Sequence, residues 1–417
     1  MKTPTGAILF LSFLFLLDLY VFSSVKHLSN GMSEKGKWWI NVIFWGLSIL
    51  TIVAFLLFVT TNRQDLNHKF RTHLFAFIIG LFLAKLIAVL FFLLDDGRRI
   101  MQWAWVQGKS KLTDSPVSED AISRSTFMSW LGVTVGFGLF GTLLYGFGNK
   151  YKFRVIHQKL KFSNLPKAFH GLRIVHISDI HCGSFFEQKA IEDGVKMIND
   201  QKADLILFTG DIVNNLADEL EPHASIFARL KTPMGVYSVL GNHDYGDYVR
   251  WPEGGTEKRE NLERLMAIQK EMGWKLLMNE HIILKKGDAE IAVLGVENWG
   301  AAMRFPKYGD LKKAHAGTEN FPVKLLLSHD PSHWDAQVRK QYPDIDLTFS
   351  GHTHGMQFGI EIPGFRWSPS KYIYKQWADL YQEGKQFLYV NRGLGFLGYP
   401  GRVGILPEIT VVELHNA

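Results

Sequence analysis

Four apolar runs of about 20 residues occupy the first third of this 417-residue chain, near 6–25, 38–60, 73–94 and 127–148. Each is long enough to cross roughly 30 Å of hydrocarbon as a helix. Within a bilayer a helix satisfies its own backbone polar groups, so residues 1–149 are expected to form a four-helix transmembrane domain. Lys2 before the first run resembles a secretion signal, but no small-residue cleavage pattern follows and three more runs do, which favours an uncleaved span. Trp38, Trp39, Trp103, Trp105 and Trp130 fall at or near span ends, where aromatic belts form. An even number of spans puts both ends of the chain on one side. Ten Lys/Arg flank the spans on that side and eight on the other. This bias predicts an inner- or plasma-membrane protein whose C-terminal part is cytoplasmic.

Two charges interrupt the runs, Asp18 in the first and Lys85 in the third. These spans run in the same direction, and each charge lies just past the middle of its span. Either each snorkels alone or the two pair at a shared depth, which avoids a cost of roughly 3 kcal/mol for an unpaired charge. Gly136-Phe-Gly138-Leu-Phe-Gly141 has the spacing of a dinucleotide fingerprint, but it lies inside an apolar span. With Gly132 it reads instead as small-residue helix packing. Gly393-Leu-Gly395-Phe-Leu-Gly398 has the same spacing and reads as a loop, because Pro400 and Gly401 follow rather than a helix.

Composition divides the chain at the same place. Before residue 150 there are 13 Lys+Arg and 8 Asp+Glu, and from it onward 33 and 32. The nearly neutral second part argues against a nucleic-acid-binding domain. A single cysteine, Cys182, excludes a disulfide framework and a cysteine-based zinc site. Thirteen of the 16 histidines lie in the second part.

A basic linker is expected over 150–169. Beyond it, short apolar runs at 173–178, 204–209, 235–240, 323–328 and 346–350 alternate with helical stretches at 187–201, 220–231, 257–272 and 331–341, the pattern of a layered α/β domain. The segment 275–296 reads as a hairpin turning at Lys286-Gly287-Asp288. The runs lead in turn into Asp179-Ile-His181, Gly210-Asp211, Gly241-Asn242-His243-Asp244, His329-Asp330 and Gly351-His352-Thr353-His354. Five strands that each deliver Asp, Asn or His at the C-terminal end share one site by the general rule for α/β sheets. Carboxylate, amide and imidazole without thiolate suit Mn, Fe, Mg or Zn. Seven such donors exceed what one catalytic ion with an open position takes, and they suit two ions bridged by a carboxylate. Such a pair clamps a phosphoryl oxygen and acidifies a water.

In residue types, spacing and order these motifs resemble the calcineurin-like metallophosphoesterases over about 170–355. The resemblance implies a four-layer α/β/β/α sandwich over 170–417 and two divalent ions, Mn first, with Fe, Zn or Mg as alternatives. It assigns Asp179, His181, Asp211 and His354 to one ion and Asp211, Asn242, His329 and His352 to the other. His243 would serve the leaving group and Asp244 would orient it. Gln357, Asn391-Arg392-Gly393-Leu394-Gly395, Arg402 and Pro407-Glu408-Ile409-Thr410 resemble the membrane-linked bacterial phosphodiesterases of this family. Met356 stands where that branch often has glycine.

The remaining features have two readings each. Asn214 is a turn residue or a support of the site, and Cys182 a packing residue rather than a ligand. His176 belongs to the core, and His333 to the surface or the cleft. Arg392 and Arg402 meet substrate phosphate or form structural ion pairs. Aromatic residues mixed with Arg366, Lys371 and Lys375 over 365–381 suit a membrane interface or a cap on the site. The expected function is attack of metal-bridging hydroxide on a phosphoester or pyrophosphate of an amphiphilic or lipid-linked substrate. The narrower alternatives are a UDP-2,3-diacylglucosamine pyrophosphohydrolase of lipid A synthesis and a catalytically vestigial membrane sensor.

Overall fold

Residues 4–60, 67–113, 124–303 and 305–417 are described by a computed structural model of the chain. Arg63, one of the cations counted above for topology, lies outside them. The described residues divide into two units, Met1–Tyr145 and Gly146–Ala417.

The first unit is built from α1 (Pro4–Ser29), α2 (Glu34–Thr60), α3 (His68–Thr113) and α4 (Thr126–Gly146). All four are long and apolar enough to span a bilayer, and the chain is an integral membrane protein. The third helix runs well past its expected end at 94. The polar residues that follow pair along the helix, Arg98 with Asp95 and Arg99 with Asp96, and so sustain it. Asp18 and Lys85 do pair, with Nζ 2.5 Å from Oδ1, and Ser48 accepts a second bond from the ammonium at 3.1 Å. A Cβ on Gly136 would collide with the Ala84 carbonyl and one on Gly132 with Phe92, so these glycines let α4 approach α3 closely.

The ion pair yields a first prediction. Asp18→Asn and Lys85→Met should each destabilise the bundle, because each strands a charge in hydrocarbon. The double replacement should be less destabilised than the sum by about 1–3 kcal/mol in SDS-driven unfolding of the full chain. Strict additivity would mean the two side chains do not cooperate.

The second unit contains β1 (Arg154–Phe162), β2 (Leu172–Ile177), β3 (Leu205–Phe208), β4 (Val236–Ser238), β5 (Lys275–Leu276), β6 (Glu280–Lys286), β7 (Ala289–Gly295), β8 (Lys324–Leu327), β9 (Leu347–Ser350), β10 (Ile360–Ile362), β11 (Phe365–Trp367), β12 (Asp379–Glu383), β13 (Gln386–Val390) and β14 (Glu408–Asn416). Two six-stranded sheets result, ordered β1-β14-β2-β3-β4-β5 and β12-β13-β9-β8-β7-β6, with β10-β11 a separate hairpin. Alternation along each strand sorts side chains between layers. Ile206 and Phe208 pack with α5 (Gln188–Asp200), α6 (Glu221–Phe227) and α7 (Glu257–Glu271), whereas Leu205 and Leu207 meet the other sheet. In the second sheet Leu325 and Leu327 face the shared core and Leu326 the outer layer with Trp334. The unit is thus an α/β/β/α sandwich.

One expectation fails here. The stretch 150–169 is not a linker, because β1 pairs parallel with β14 along nine residues. Leu160 and Phe162 are buried while Lys159 and Lys161 point outward, and cations on the outer face suit an edge strand. Both glycine fingerprints are what their surroundings predict, one inside α4 and the other in the loop after β13.

Candidate metal centre

The C-terminal ends of β2, β3, β4, β8 and β9 converge, and the backbone there is unusual. Asp179, His181, Asp211, His352 and His354 all have φ between +49 and +72. Left-handed backbone costs a non-glycine residue on the order of 1 kcal/mol and concentrates at functional sites. It ends β2, β3 and β9 abruptly and turns their side chains toward a common point. The motif glycines admit this crowding. A Cβ on Gly210 would strike the Gly241 backbone, and one on Gly351 would strike Asp179 and Ser178.

Two clusters of donors follow. Asp179, His181 and His354 form one and Asp211, His329 and His352 the other, with the donor atoms of each within 4.8 Å of one another. Nε2 of His354 lies 3.0 Å from Nε2 of His181 and 3.2 Å from Oδ1 of Asp179. Nε2 of His329 lies 3.2 Å from Asn242 Oδ1, from His352 Nδ1 and from Asp211 Oδ2. Donors held about 2.1 Å from one ion are separated by about 3.0–3.4 Å, so these spacings fit a cation in each cluster. The same Asp211 Oδ2 is 3.6 Å from His181 Nε2 and faces both clusters.

Burial and the Asp211 carboxylate pull the imidazoles of the two clusters in opposite directions. Burial drives the His181 imidazole down to about 3, keeping it in the neutral form that ligates. Burial also opposes charge on His329, but the Asp211 carboxylate outweighs it and raises the imidazole to about 10. Burial would raise Asp179 and Asp211 too, yet His354 lowers the first and His329 the second, so both remain anionic. Neighbouring groups fix the ring orientations. Nδ1 of His329 donates to the Thr209 carbonyl at 2.7 Å, and Nε2 of His352 meets the Tyr374 hydroxyl at 2.8 Å. The Asn242 amide donates to Tyr248 Oη at 2.8 Å, turning its oxygen toward the second cluster.

His243 stands beside the first cluster, its ring 5.1 Å from that of His181. Its Nδ1 donates to the Asn214 carbonyl at 2.7 Å, which leaves Nε2 for a substrate. The expected orienting role of Asp244 does not hold. Its carboxylate accepts the backbone N–H groups of Asp211, Ile212, Val213 and Gly241, and it knits the β3 and β4 loops together instead. Burial and the Asp211 carboxylate push Asp244 up to about 7, while the four N–H donors favour its anion. Asn214 supports the site through its carbonyl, held by Glu219, which accepts the Asn214 N–H at 2.6 Å.

Other candidates lie elsewhere. Arg392 is 2% exposed and clamped by Glu361 and Glu408 at 2.6 and 2.5 Å, the structural ion pair of its two readings. Arg402 is fully buried and donates to the carbonyls of Arg392, Gly393 and Gly395 and to His354 Nδ1, bracing the first cluster from behind. His333 is neither at the surface nor in the cleft. It is buried on the Trp299 ring with Ser328 and Gln337 as partners, and burial lowers it to about 4. His176 lies in the core against Phe349 and Tyr389, and Cys182 in the core beneath the outer helices. Sequence reasoning missed Tyr374, Tyr248 and Glu219; the aromatic segment around Tyr374 was the one signal available.

Comparison with known proteins agrees with this geometry. A family model described as calcineurin-like phosphoesterase matches residues 172–356. Another, described as the transmembrane domain of a probable calcineurin-like phosphoesterase, matches residues 5–149. A zebrafish transmembrane protein with a metallophosphoesterase domain is 31% identical over 63% of this chain and 58% of its own length. An uncharacterised metallophosphoesterase of Bacillus subtilis is 31% identical over 62% of this chain and 84% of its own. A UDP-2,3-diacylglucosamine pyrophosphatase of Chlamydia trachomatis is 28% identical over 56% and 81% respectively. The chain thus spans little more than half of the zebrafish protein but most of the two bacterial ones. With five motifs on five strand ends, two donor clusters and both family models in register, this chain belongs to the calcineurin-like metallophosphoesterases that carry a four-helix transmembrane domain.

Proposed function

We propose that the chain is a membrane-anchored dimetal phosphohydrolase acting on a phosphodiester or pyrophosphate of an amphiphilic substrate. The observation that carries this reading is the one Asp211 oxygen facing both donor clusters, since a shared carboxylate is what two adjacent cations require. Asp179, His181, Asp211 and His354 would hold one ion, and Asp211, Asn242, His329 and His352 the other. Bound there, two divalent cations, Mn first among them, supply Lewis acidity to a phosphoryl oxygen and acidify a water. The chain's own residues do the rest. Asp211 and Asp179 balance the cationic charge. His243, with Nδ1–H fixed on the Asn214 carbonyl, would act as the imidazolium, giving its Nε2 proton to the leaving oxygen and ending as the Nδ1–H neutral ring. Asp244 keeps the loops carrying Asp211 and His243 in register. Membrane anchoring and the likeness to the chlamydial pyrophosphatase favour a lipid-linked pyrophosphate such as a UDP-diacylglucosamine, and the Lys/Arg bias around the spans favours a cytoplasmic catalytic unit.

The purified full chain in detergent should hydrolyse bis(p-nitrophenyl) phosphate with Mn, lose turnover in EDTA and regain it on metal addition. Absence of turnover with each of Mn, Fe, Zn and Mg would refute the enzyme reading. Product analysis on UDP-diacylglucosamine, phospholipids and polyprenyl phosphates would then identify the substrate. A reporter fused at Ala417 that is active only outside the cytoplasm would reverse the topology.

A further inference from the structure

Hairpin β10-β11 is inside out. Its register pairs Ile360 with Trp367, Glu361 with Arg366 and Ile362 with Phe365. One face therefore carries Ile360, Ile362, Phe365 and Trp367, and the other Glu361 and Arg366. In water the apolar face should turn inward. Here Glu361 of the polar face turns inward, while Arg366 stays at the surface. Glu361 is bound by Arg154 at 2.7 Å and Arg392 at 2.6 Å, and Arg366 by Asp379 at 2.7 Å. The apolar face is left open, with Ile360 47%, Ile362 60% and Phe365 52% exposed. Of the nine large apolar side chains exposed among the described residues of the second unit, six lie between 356 and 373. Such concentration marks an interaction surface, since scattered exposure is the norm.

We propose that this hairpin, with Tyr372 and Ile373 beside it, is a lip that inserts into the bilayer interface and sets the metal centre at headgroup level. Three observations select lipid as the occupant. The chain carries four membrane helices, the last ending at Gly146, eight positions before β1, so bilayer is always within reach. The exposed residues mix aromatics with cations, Lys371 Nζ lying 5.4 Å from the Tyr372 ring, as interfacial anchors do. The tip Ile362-Pro363-Gly364-Phe365 is a short apolar turn with no acidic residue to repel headgroups. The aromatic segment 365–381 divides between its two readings. Trp377 and Tyr374 are buried, 5% and 6% exposed, and belong to the cap on the site.

The lip is coupled to the centre by short bonds. Ser368 Oγ donates to the Gly355 carbonyl and Thr353 Oγ1 to the Trp377 carbonyl, each at 2.6 Å, and Tyr374 touches His352. Inserting the apolar face would therefore place the donor clusters against phosphoryl groups at the membrane surface while leaving acyl chains in hydrocarbon. This deepens the proposed function, and it rests on that reading only for its kinetic consequence.

The test uses the full chain in phosphatidylcholine/phosphatidylglycerol proteoliposomes. Cys182 is 1% exposed, so a thiol placed at Phe365→Cys or Ile362→Cys is the accessible one for an environment-sensitive label. A label there should shift to shorter wavelength and be quenched by shallowly doxylated lipids, whereas one at Lys189→Cys on α5 should not. The pair Ile362→Ser/Phe365→Ser should lower kcat/KM for dodecyl p-nitrophenyl phosphate in vesicles by about tenfold, with bis(p-nitrophenyl) phosphate unaffected. Labels at 362 and 365 no more quenched than at 189 would overturn the proposal. So would a shift that persists in detergent and grows with protein concentration, which would identify a second copy as the occupant. Lipid quenching without turnover of either ester would refute the enzyme reading and leave the lip standing.

Discussion

Asp211→Asn should reduce turnover of bis(p-nitrophenyl) phosphate by on the order of 10³-fold, with far less effect on folding. The asymmetry follows from what the two carboxylate oxygens do. Oδ1 accepts the His243 N–H at 2.9 Å, which an amide oxygen does equally well, so the β3–β4 loop geometry is kept. Oδ2 faces both clusters, at 3.6 Å from His181 and 3.2 Å from His329, and an uncharged amide cannot bridge two cations there. Metal analysis after dialysis should fall from two ions per chain toward one or none, while circular dichroism and the melting profile stay near those of the parent. His243→Ala separates the roles, because it should cut turnover yet retain two ions. A variant of Asp211 that keeps both ions and full turnover would remove the bridging assignment and with it the two-ion reading.

The parts of this site legible in the sequence are those made by side-chain identity at strand ends. Alternating apolar runs fix where the strands stop, and Asp, Asn and His follow each stop, so the two clusters were readable before any fold. What stayed hidden is made by main chain or by distant pairing. The partner of His243 is the Asn214 carbonyl, which any residue type supplies, and so Asp244, adjacent and acidic, was the natural but wrong choice. Strand β1 looked like a linker because its partner β14 lies at the other end of the unit and its cations obscure the alternation of Leu160 and Phe162. The exposure of Phe365 follows from Glu361 meeting Arg154 and Arg392, and the burial of Trp377 from its packing with Ile405, distant contacts no local pattern reveals. Within the membrane the reverse held. Two charges at matched depth in parallel spans have few alternatives in hydrocarbon, and they pair.

That same network sets the largest stability effect expected in the second unit. Arg392→Met should destabilise it by about 3–5 kcal/mol, a melting shift of roughly 10 °C, without raising KM for bis(p-nitrophenyl) phosphate. Glu408 is fully buried, and its carboxylate also takes hydrogen bonds from Tyr389 and Thr410, each at 2.6 Å. Those neutral donors do not balance its charge once the guanidinium is gone, and Glu361 loses one of its two arginines at the same time. Breaking a buried pair from one side costs far more than exchanging the pair for apolar groups. The double change Arg392→Met/Glu408→Leu should therefore recover part of the loss. Arg392→Lys should not, because a single ammonium cannot reproduce the fork that spans both carboxylates. If Arg392 instead contacted substrate phosphate, the pattern would invert, with KM rising severalfold and the melting temperature unmoved. The burial of Arg392 between two carboxylates makes a stability loss the expected result, because a guanidinium already neutralised from both sides has little charge left to offer a phosphoryl group.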